Sequence, residues 1–289
     1  MEDHVLAIDI GGTKLAAGVV DPSGHLVRSA MAPTPRDGSG DDLFAALAAL
    51  ARSVGGGDEV ACGVGCGGPM TGRGELVSPL NIPAWRDFPL RARLASALGV
   101  PTFVDNDAKA LALGEGWVGA AVGVADYIAM VVSTGVGGGI VLNGRLVEGA
   151  DGNAGHIGHV IVEPEGRLCP CGARGCLEAE ASGTAIAAIT GAPAAEASPE
   201  VVARTGRLVG RAVASVANLL DLGLAVVAGS VALGFGSPFF AAAQAEVDAC
   251  ARLAFSVGTR VLPAGLGSAG PLIGAAAVAR RGAGLPTGR

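Results

Sequence analysis

Residues 5–20 read VLAIDIGGTKLAAGVV, two apolar runs separated by a glycine-rich turn. Residues 127–142 read YIAMVVSTGVGGGIVL and follow the same plan. Each stretch predicts a strand, a tight hairpin and a second strand, and each continues through a turn, at residues 21–24 or 143–144, into a third strand. Because helical segments follow both stretches, we interpret them as an internal duplication of one α/β unit.

The rest of the chain alternates between strand-like and helix-like segments. Short apolar runs at residues 60–64, 101–104 and 225–228 are typical of buried parallel strands. Periodicity and capping residues predict helices at about residues 43–50, 89–98, 106–116, 198–222, 237–253 and 269–281. Asp41 or Asp42 is the expected cap of the first helix. This mixture of strands and helices indicates layered α/β domains.

A cluster of glycines at residues 114–123 marks the expected boundary between two domains. We predict an N-terminal α/β lobe at residues 1–117 and a C-terminal α/β lobe at residues 118–268. The helix at residues 269–285 is expected to pack back on the N-terminal lobe.

Composition and charge exclude several classes of protein. The 289 residues are 50% hydrophobic and carry a net charge of −6, which permits a large core and argues against a nucleic-acid-binding surface. No uninterrupted apolar run is long enough to span a membrane, and the acidic start, residues 1–4, is unlike a secretory leader. The six cysteines therefore indicate metal binding or free thiols in a cytoplasmic protein rather than disulfides.

The two glycine-rich hairpins are candidate phosphate-binding sites, because such turns expose backbone N–H groups. Asp9 adds a carboxylate suited to a hydrated Mg²⁺ ion, Thr13 a hydroxyl and Lys14 a charge. One such hairpin alone is as easily an ordinary turn, but two matched hairpins favour nucleotide binding. A third glycine site, Gly229-Ser230 after an apolar strand, is either a shelf for adenosine or a plain strand-to-helix turn. The candidate nucleotide residues are Asp9, Gly11, Gly12, Thr13, Lys14, Thr134, Gly135, Gly137, Gly138, Gly229 and Ser230.

A second cluster has the residue types and spacing of a metal site. His159, Cys169, Cys171 and Cys176 supply one imidazole and three thiols within eighteen residues, a set that suits tetrahedral Zn²⁺. The alternative is a reactive or buried thiol cluster without metal. The other cysteines, at positions 62, 66 and 250, lie in apolar segments and are expected to be packing residues.

Polar residues elsewhere fit acid–base chemistry and sugar binding. Asp105-Asn106-Asp107 follows an apolar strand and opens a helix. We interpret Asp105 as a helix cap, whereas Asp107 is either a second cap or the base that accepts a proton from an attacking hydroxyl. Side chains suited to binding sugar hydroxyls are Asn81, Asn106, His156, His159 and Glu178. Trp85 either stacks on a sugar ring or lies in the core.

Together these motifs resemble the ROK family (repressors, open reading frames and kinases) of the actin-like sugar kinases. The matching motifs occur in family order and are DIGGTK at 9–14, DND at 105–107, STGVGGG at 133–139, GHIGH at 155–159 and CPCGARGCLE at 169–178. The resemblance implies a two-lobed, RNase-H-like kinase fold with a small zinc-binding loop at residues 156–178, and lobes that close over sugar and ATP. It also implies a homodimer or homotetramer.

The resemblance assigns roles to particular residues. It implies that Asp107 is the general base acting on a sugar 6-hydroxyl, and that the two hairpins hold the ATP phosphates with Thr13 and Thr134 as hydroxyl contacts. The implied sugar contacts are Gly68, Asn81, Asn106, Asp107, His159 and Glu178. The implied zinc ligands are His159, Cys169, Cys171 and Cys176.

One departure from the family pattern bears on the sugar. Glucokinases of the family usually carry Glu-x-Gly-His where this chain has His156-Ile157-Gly158-His159. A neutral histidine offers one donor and one acceptor, whereas glutamate only accepts, so His156 should read a different group near carbons 1 and 2. The segment resembles that of bacterial N-acetylmannosamine kinases, which makes N-acetylmannosamine the expected substrate, with glucose and N-acetylglucosamine as alternatives. A sugar-sensing transcriptional regulator is disfavoured, because the first strand begins near Val5 and leaves no room for a helix-turn-helix.

Overall fold

A computed structural model describes residues 3–287, so Met1 and Glu2, on which the expectation about a leader partly rests, lie outside the described residues. The strands are β1 (Val5–Ile10), β2 (Lys14–Val20), β3 (Leu26–Pro33), β4 (Ala61–Cys66), β5 (Met70–Thr71), β6 (Leu76–Val77), β7 (Thr102–Asn106), β8 (Tyr127–Val132), β9 (Val136–Leu142), β10 (Arg145–Leu146), β11 (Leu224–Ala228) and β12 (Arg260–Pro263). The helices are α1 (Gly40–Val54), α2 (Leu90–Leu98), α3 (Asp107–Val118), α4 (Leu177–Ala181), α5 (Gly183–Thr190), α6 (Pro199–Leu220), α7 (Ser230–Phe235), α8 (Ser237–Cys250) and α9 (Gly270–Gly282). Among residues 3–287, no helix is both long enough and apolar enough to cross a bilayer.

The chain forms two compact units. The first contains the residues up to Val122, the segment Glu148–Ala154 and the residues from Leu266 onward. The second contains Gly123–Val147 and Gly155–Gly265. The domain bounds expected from the sequence, with a boundary after residue 117, stay a prediction. Nothing in the sequence indicated that Glu148–Ala154 lies with the first unit.

Each unit contains a five-stranded sheet, and the two sheets have the same topology. The first has the order β3-β2-β1-β4-β7 and the second the order β10-β9-β8-β11-β12. In both, the first three strands pair antiparallel and the last three pair parallel. The internal duplication predicted from the two glycine-rich stretches is therefore visible in strand order and in strand direction. The copies differ at the third strand, which has eight residues in β3 and two in β10.

Alternation of apolar residues explains how the first sheet is buried on both faces. Leu6, Ile8 and Ile10 of β1 belong to the core cluster formed with α1 and α2. Val5 and Ala7, which point to the opposite face, belong to a second cluster formed largely with α9. A sheet covered on both faces needs continuous apolar strands, which is what the sequence of β1 provides.

The helix α9 approaches the sheet closely because small residues line both contacting surfaces. A side chain at Gly63 of β4 would collide with the backbone of Ala275, and one at Gly274 would meet the backbone of Ala110 in α3. Glycine is required at such positions because no side chain fits between the two backbones. The expected packing of the C-terminal helix on the N-terminal part of the chain is what the structure shows.

Two local predictions are wrong. The cap of α1 is Ser39 rather than Asp41 or Asp42: its hydroxyl accepts from the Asp42 backbone N–H, and the Asp42 carboxylate accepts from the Ser39 N–H in return. This reciprocal capping box satisfies two N–H groups at once, which a single aspartate cap would not. Cys250 is exposed rather than packed, whereas Cys62 and Cys66 are buried as expected.

Candidate active site and metal-binding loop

The register of the parallel strands in the first unit brings two acidic residues together. Asp9 of β1 pairs with Gly65 of β4, and Gly65 pairs with Asp105 of β7. Carboxyl ends of parallel strands meet at one edge of the sheet, where ligands of such folds usually bind. A Cβ atom at Gly65 would lie 3.7 Å from both the Asp9 Oδ1 atom and the Asp107 Cα atom. Glycine at this position thus leaves open the space that Asp9 and Asp107 border.

Charge and burial at this edge act on Asp9. Burial, reinforced by the negative charge of Asp107, raises the pKa of Asp9 to about 7, although the ammonium of Lys14 opposes the shift. A second negative charge is therefore costly here without a cation. The predicted role of Asp9 in holding a hydrated Mg²⁺ ion fits this electrostatics, because a divalent cation would stabilise the ionised carboxylate.

The helix that carries Asp107 is capped differently from the prediction. Asp105 was expected to be the cap, but it lies in β7, and Asn106 is the N-cap, with its side-chain oxygen accepting from the Ala108 N–H at 3.0 Å. Asp105 instead pairs with Lys109, one helical turn further on, at 2.9 Å. Asp107 is the first residue of α3 and is exposed. β7 ends at Asn106 and α3 begins at Asp107, so Asn106 is the residue immediately before the helix and is in position to cap it.

The first glycine-rich hairpin is held by hydrogen bonds at its base. The Gly11 N–H donates to the Lys14 carbonyl at 3.0 Å, and the Thr34 hydroxyl donates to the Gly11 carbonyl at 2.7 Å. Asn81 lies directly against this hairpin, because a side chain at Gly12 would touch it at 3.0 Å. Thr13, like Lys14, is exposed.

The predicted sugar residues of the first unit form one neighbourhood. A Cβ at Gly67 would lie 3.5 Å from the Asn81 Oδ1 atom, and one at Gly68 would lie 3.8 Å from the Asn106 Nδ2 atom. The Gly68 carbonyl accepts from the Leu80 N–H at 3.2 Å, which holds the segment that carries Asn81. Trp85 is not part of this neighbourhood: it is buried and stacks on Phe88 with ring centroids 4.6 Å apart.

The second hairpin borders a cavity of about 470 Å³ in the second unit. The Thr184 hydroxyl donates to the Thr134 carbonyl at 2.9 Å, and the Ser133 and Ser230 hydroxyl oxygens lie 2.9 Å apart. The hairpin and the predicted adenosine shelf therefore lie on the same cavity. The lining residues include Thr134, Gly183, Thr184, Pro193, Ser230 and Val231.

Two glycines predicted to serve the second hairpin lie within β9. Gly137 pairs with Val131, and Gly138 pairs with Met130. A side chain at Gly138 would collide with Ile157 and the Gly155 carbonyl. Gly138 thus also allows the segment before His159 to pack against the strand.

The predicted zinc ligands converge. The ligand atoms of His159, Cys169, Cys171 and Cys176 all lie within 4.8 Å of one another. Tetrahedral Zn²⁺ with bonds of about 2.3 Å to sulfur and about 2.0 Å to nitrogen places sulfur atoms about 3.8 Å apart, and sulfur and nitrogen about 3.5 Å apart. The Cys171 and Cys176 sulfur atoms are 3.7 Å apart, and Cys169 Sγ is 3.8 Å from His159 Nδ1. These residues fit a tetrahedral zinc ion.

The loop that carries the cysteines is shaped by two left-handed glycines and anchored by a buried carboxylate. Gly172 and Gly175 have φ angles of 95° and 69°, which permit the turn between Cys169 and Cys176. Glu180 is 1% exposed and accepts hydrogen bonds from the Arg167 backbone N–H at 2.6 Å and from its guanidinium at 2.9 Å. These bonds constrain the base of the loop.

Two side chains of the predicted sugar set flank this loop. Glu178 follows Cys176 in the first turn of α4, and its carboxylate accepts from the Val136 N–H at 2.9 Å, which ties it to the second hairpin. The rings of His156 and His159 are exposed, with centroids 6.1 Å apart. Because Nδ1 of His159 is the atom near Cys169, its Nε2 atom is left for another partner.

Sequence reasoning missed several residues that support these sites. Thr34 and Thr184 hold the hairpins through hydrogen bonds to backbone carbonyls, and no sequence pattern indicated either contact. Lys109 bonds both Asp105 and Glu148. Of these contacts, only the pair with Asp105 was indicated by the sequence, through its spacing of four residues from Lys109.

We expect the raised pKa of Asp9 to appear as a pH-dependent stability difference. Between its ordinary value of 3.8 and about 7, the native state binds a proton that the unfolded chain releases, so stability falls as pH rises through this window. Asp9→Asn lacks this proton exchange. Its free energy of unfolding, measured by denaturation in chelator and compared with wild type, should therefore improve by about 2 kcal/mol between about pH 5 and pH 7. Asp58→Asn, at an exposed position, is the control, and a pH-independent difference for Asp9→Asn would contradict the assignment.

Comparisons with known proteins identify the family of the chain. The family model described as ROK family matches residues 5–282. The chain is 37% identical over 246 residues to the N-acetylmannosamine kinase of Yersinia pseudotuberculosis, which covers 80% of this chain and 84% of that protein. It is 39% identical over 185 residues to the glucokinase of Thermotoga maritima, a match that spans 63% of this chain and 58% of the length of that protein.

The fold is shared with a solved structure of a related protein. The ROK family glucokinase from Streptomyces griseus, in complex with glucose and AMPPNP, superposes with a TM-score of 0.83 at 31% identity, covering 96% of this chain and 99% of that one. The predicted α/β kinase-type fold is thereby confirmed. The resemblance drawn from the five motifs is confirmed as well: the chain belongs to the ROK family.

Proposed function

We propose that the protein is an ATP-dependent sugar kinase that phosphorylates the 6-hydroxyl of an N-acetylhexosamine, N-acetylmannosamine being the preferred substrate. The observation that carries the kinase assignment is the pairing of Asp107 with Asp9 at the carboxyl edge of the parallel strands. Phosphoryl transfer needs a base for the attacking hydroxyl and a group that holds the cation of the nucleotide, and these two carboxylates supply both. The proposed location is the cytoplasm, where thiols stay reduced and ATP is available.

In this proposal Asp107 accepts the proton of the sugar hydroxyl. It is exposed at the start of α3, its Oδ1 atom accepts from the Ala108 N–H at 2.9 Å, and the N-cap bond of Asn106 fixes the first turn. Asn81 and Asn106 would orient the sugar, because amide side chains both donate to and accept from hydroxyl groups, and Gly68 would contact it through its backbone. In the second unit, His156, His159 and Glu178 would supply further sugar contacts.

The nucleotide would be held by the two hairpins and the cavity in the second unit. Thr13 and Thr134 offer hydroxyl groups, and the hairpin glycines offer backbone N–H groups to phosphate oxygens. The cavity beside Thr134 and Ser230, of about 470 Å³, is large enough for part of a nucleotide. Asp9 would hold the magnesium ion that accompanies ATP, whose positive charge offsets that of the phosphates when it is bound.

His156 is the basis for preferring N-acetylmannosamine to glucose. Its imidazole can donate to a carbonyl oxygen such as that of an N-acetyl group, which a carboxylate at the same position would repel. The identity to the Yersinia N-acetylmannosamine kinase supports the same preference, and the identity to the Thermotoga glucokinase keeps glucose as the second candidate.

Replacement of Asp107 by alanine tests the base. Asp107→Ala should lower kcat about 100-fold or more while sugar binding stays measurable, because general base catalysis contributes about 10²–10⁴-fold. Steady-state kinetics and calorimetric sugar binding measure the two effects separately. Asp58→Ala, which removes an exposed carboxylate in the same unit, should behave as wild type. A near-normal kcat in Asp107→Ala would show that Asp107 is not the base.

Zinc content tests the cluster at His159. Elemental analysis should find about one zinc ion per chain, and Cys176→Ser should lose it, since structural zinc sites need all four ligands. Loss of zinc should also lower the melting temperature, because metal binding contributes to folding free energy. Cys250→Ser, which removes an exposed thiol outside the cluster, is the matched control. Full zinc occupancy in Cys176→Ser would contradict the ligand set.

Sugar preference tests His156. In an ATP-consumption assay across hexoses and N-acetylhexosamines, the wild type should have its highest kcat/KM with N-acetylmannosamine. His156→Glu should shift the ratio of kcat/KM values toward glucose by about tenfold or more, as expected when one polar contact to the substrate is changed. His25→Glu, at an exposed turn, controls for the change of charge. An unchanged ratio in His156→Glu would mean that another residue selects the sugar.

A further inference from the structure

The mechanism above does not use a buried ammonium group that lies two residues after Asp107. The Lys109 side chain is 3% exposed. Its Nζ atom lies 2.9 Å from Asp105 Oδ1, 2.7 Å from Glu148 Oε2 and 3.0 Å from the Gly152 carbonyl oxygen. An ammonium has three protons to donate, and each has an acceptor here. Burial of a lysine is unfavourable unless it is fully paired, so its place beside the proposed base calls for a physical account.

Through Asp105, Lys109 reaches the junction that carries the base. The carboxylate oxygen of Asp105 that receives Lys109 also accepts from the Asn106 backbone N–H at 2.8 Å. Asn106 then caps the helix, and the Asp107 Oδ1 atom accepts from the same Ala108 N–H at 2.9 Å. The orientation of the Asp107 side chain therefore depends on the strand-to-helix turn. The Asp105–Lys109 pair holds the strand side of that turn.

Through Glu148, the same ammonium is attached to the rest of the unit. Arg281 of α9 bonds Glu148 and lies 3.8 Å from Asp105 Oδ2, so two cations bridge two carboxylates. Burial alone would raise the pKa of Glu148, but hydrogen bonds from Lys109 and Arg281 outweigh it and lower that pKa. Lys109 and Arg281 therefore favour the ionised form of Glu148, and the cluster holds the strand end, the segment at 148–152 and α9 together.

Charge gives Lys109 a second effect on the base. Asp9, Asp105 and Asp107 bring three carboxyl groups to one edge of the sheet, and neighbouring like charges disfavour ionisation. Burial raises the pKa of Asp105, whereas the charge and the hydrogen bond of Lys109 lower it, so the ammonium acts on the electrostatics of the edge that also carries Asp107.

We propose that Lys109 is a positioning residue for Asp107, acting through Asp105 to hold the strand-to-helix junction in the geometry that proton abstraction needs. The inference rests on the proposed function, because it assumes that Asp107 is the base.

A double-mutant cycle in the full chain tests it. Lys109→Met should lower kcat about 10- to 100-fold, the cost expected when a catalytic group is misplaced, with KM for sugar and ATP nearly unchanged. In an Asp107→Ala background, the same change should have an effect of less than about twofold, because the group it positions is gone. Arg91→Met, which breaks the exposed pair with Glu75 in the same unit, should leave kcat unchanged in both backgrounds.

The outcomes separate this inference from the proposed function. Normal kcat in Asp107→Ala would overturn both. An impaired Asp107→Ala beside a Lys109→Met protein with wild-type kcat, or losses that multiply in the double variant, would overturn the role of Lys109 alone. Should Lys109→Met fail to fold, as judged by circular dichroism, the cycle is run with Asp105→Asn, which keeps the hydrogen-bond acceptor and removes the charge. Asp105→Asn must then show the same non-additive loss, and normal or multiplicative kinetics would reject the proposal.

Discussion

The parallel pairing of β4 with β1 on one side and β7 on the other is the constraint on which the first unit depends. It aligns Asp9, Gly65 and Asp105 at one edge of the sheet, so the residue that follows the next turn, Asp107, comes close to Asp9. The middle strand presents Gly65 between them, where a Cβ atom would lie 3.7 Å from Asp9 Oδ1 and from Asp107 Cα. The pairing also needs both faces of the sheet covered, which α1, α2 and α9 provide.

Duplication supplied the second unit with the same sheet but different chemistry. Its strand order and directions repeat those of the first, and its hairpin occupies the corresponding position. Where the first copy has Asp9 in the strand, the second has apolar residues and a cavity bordered by Thr134 and Ser230. The first copy thus carries paired carboxylates, which suit acid–base catalysis. The second carries a hairpin with a cavity beside it, which suits nucleotide binding.

Two of the polar side chains with proposed roles are bonded to neighbouring segments of the chain. Glu178 is joined to the second hairpin through the Val136 N–H, and Lys109 joins the segment at residue 148 to the start of α3. Each link restricts a side chain that has a proposed role. Pre-organisation of this kind lowers the entropy that must be lost when substrates bind.

The sequence by itself determined the duplication, the two hairpins, the cluster of candidate metal ligands and the family, because each is encoded by residues close together in the chain and by apolar runs of fixed period. Only the tertiary structure decided that Asn106 rather than Asp105 caps α3, and that Lys109 and Glu148 are paired across thirty-nine residues. The capping residue depends on where the strand ends and the helix begins. A long-range ion pair depends on which segments the fold brings into contact. Neither is a property of local sequence, since the same residues would read identically whatever segment packed beside them.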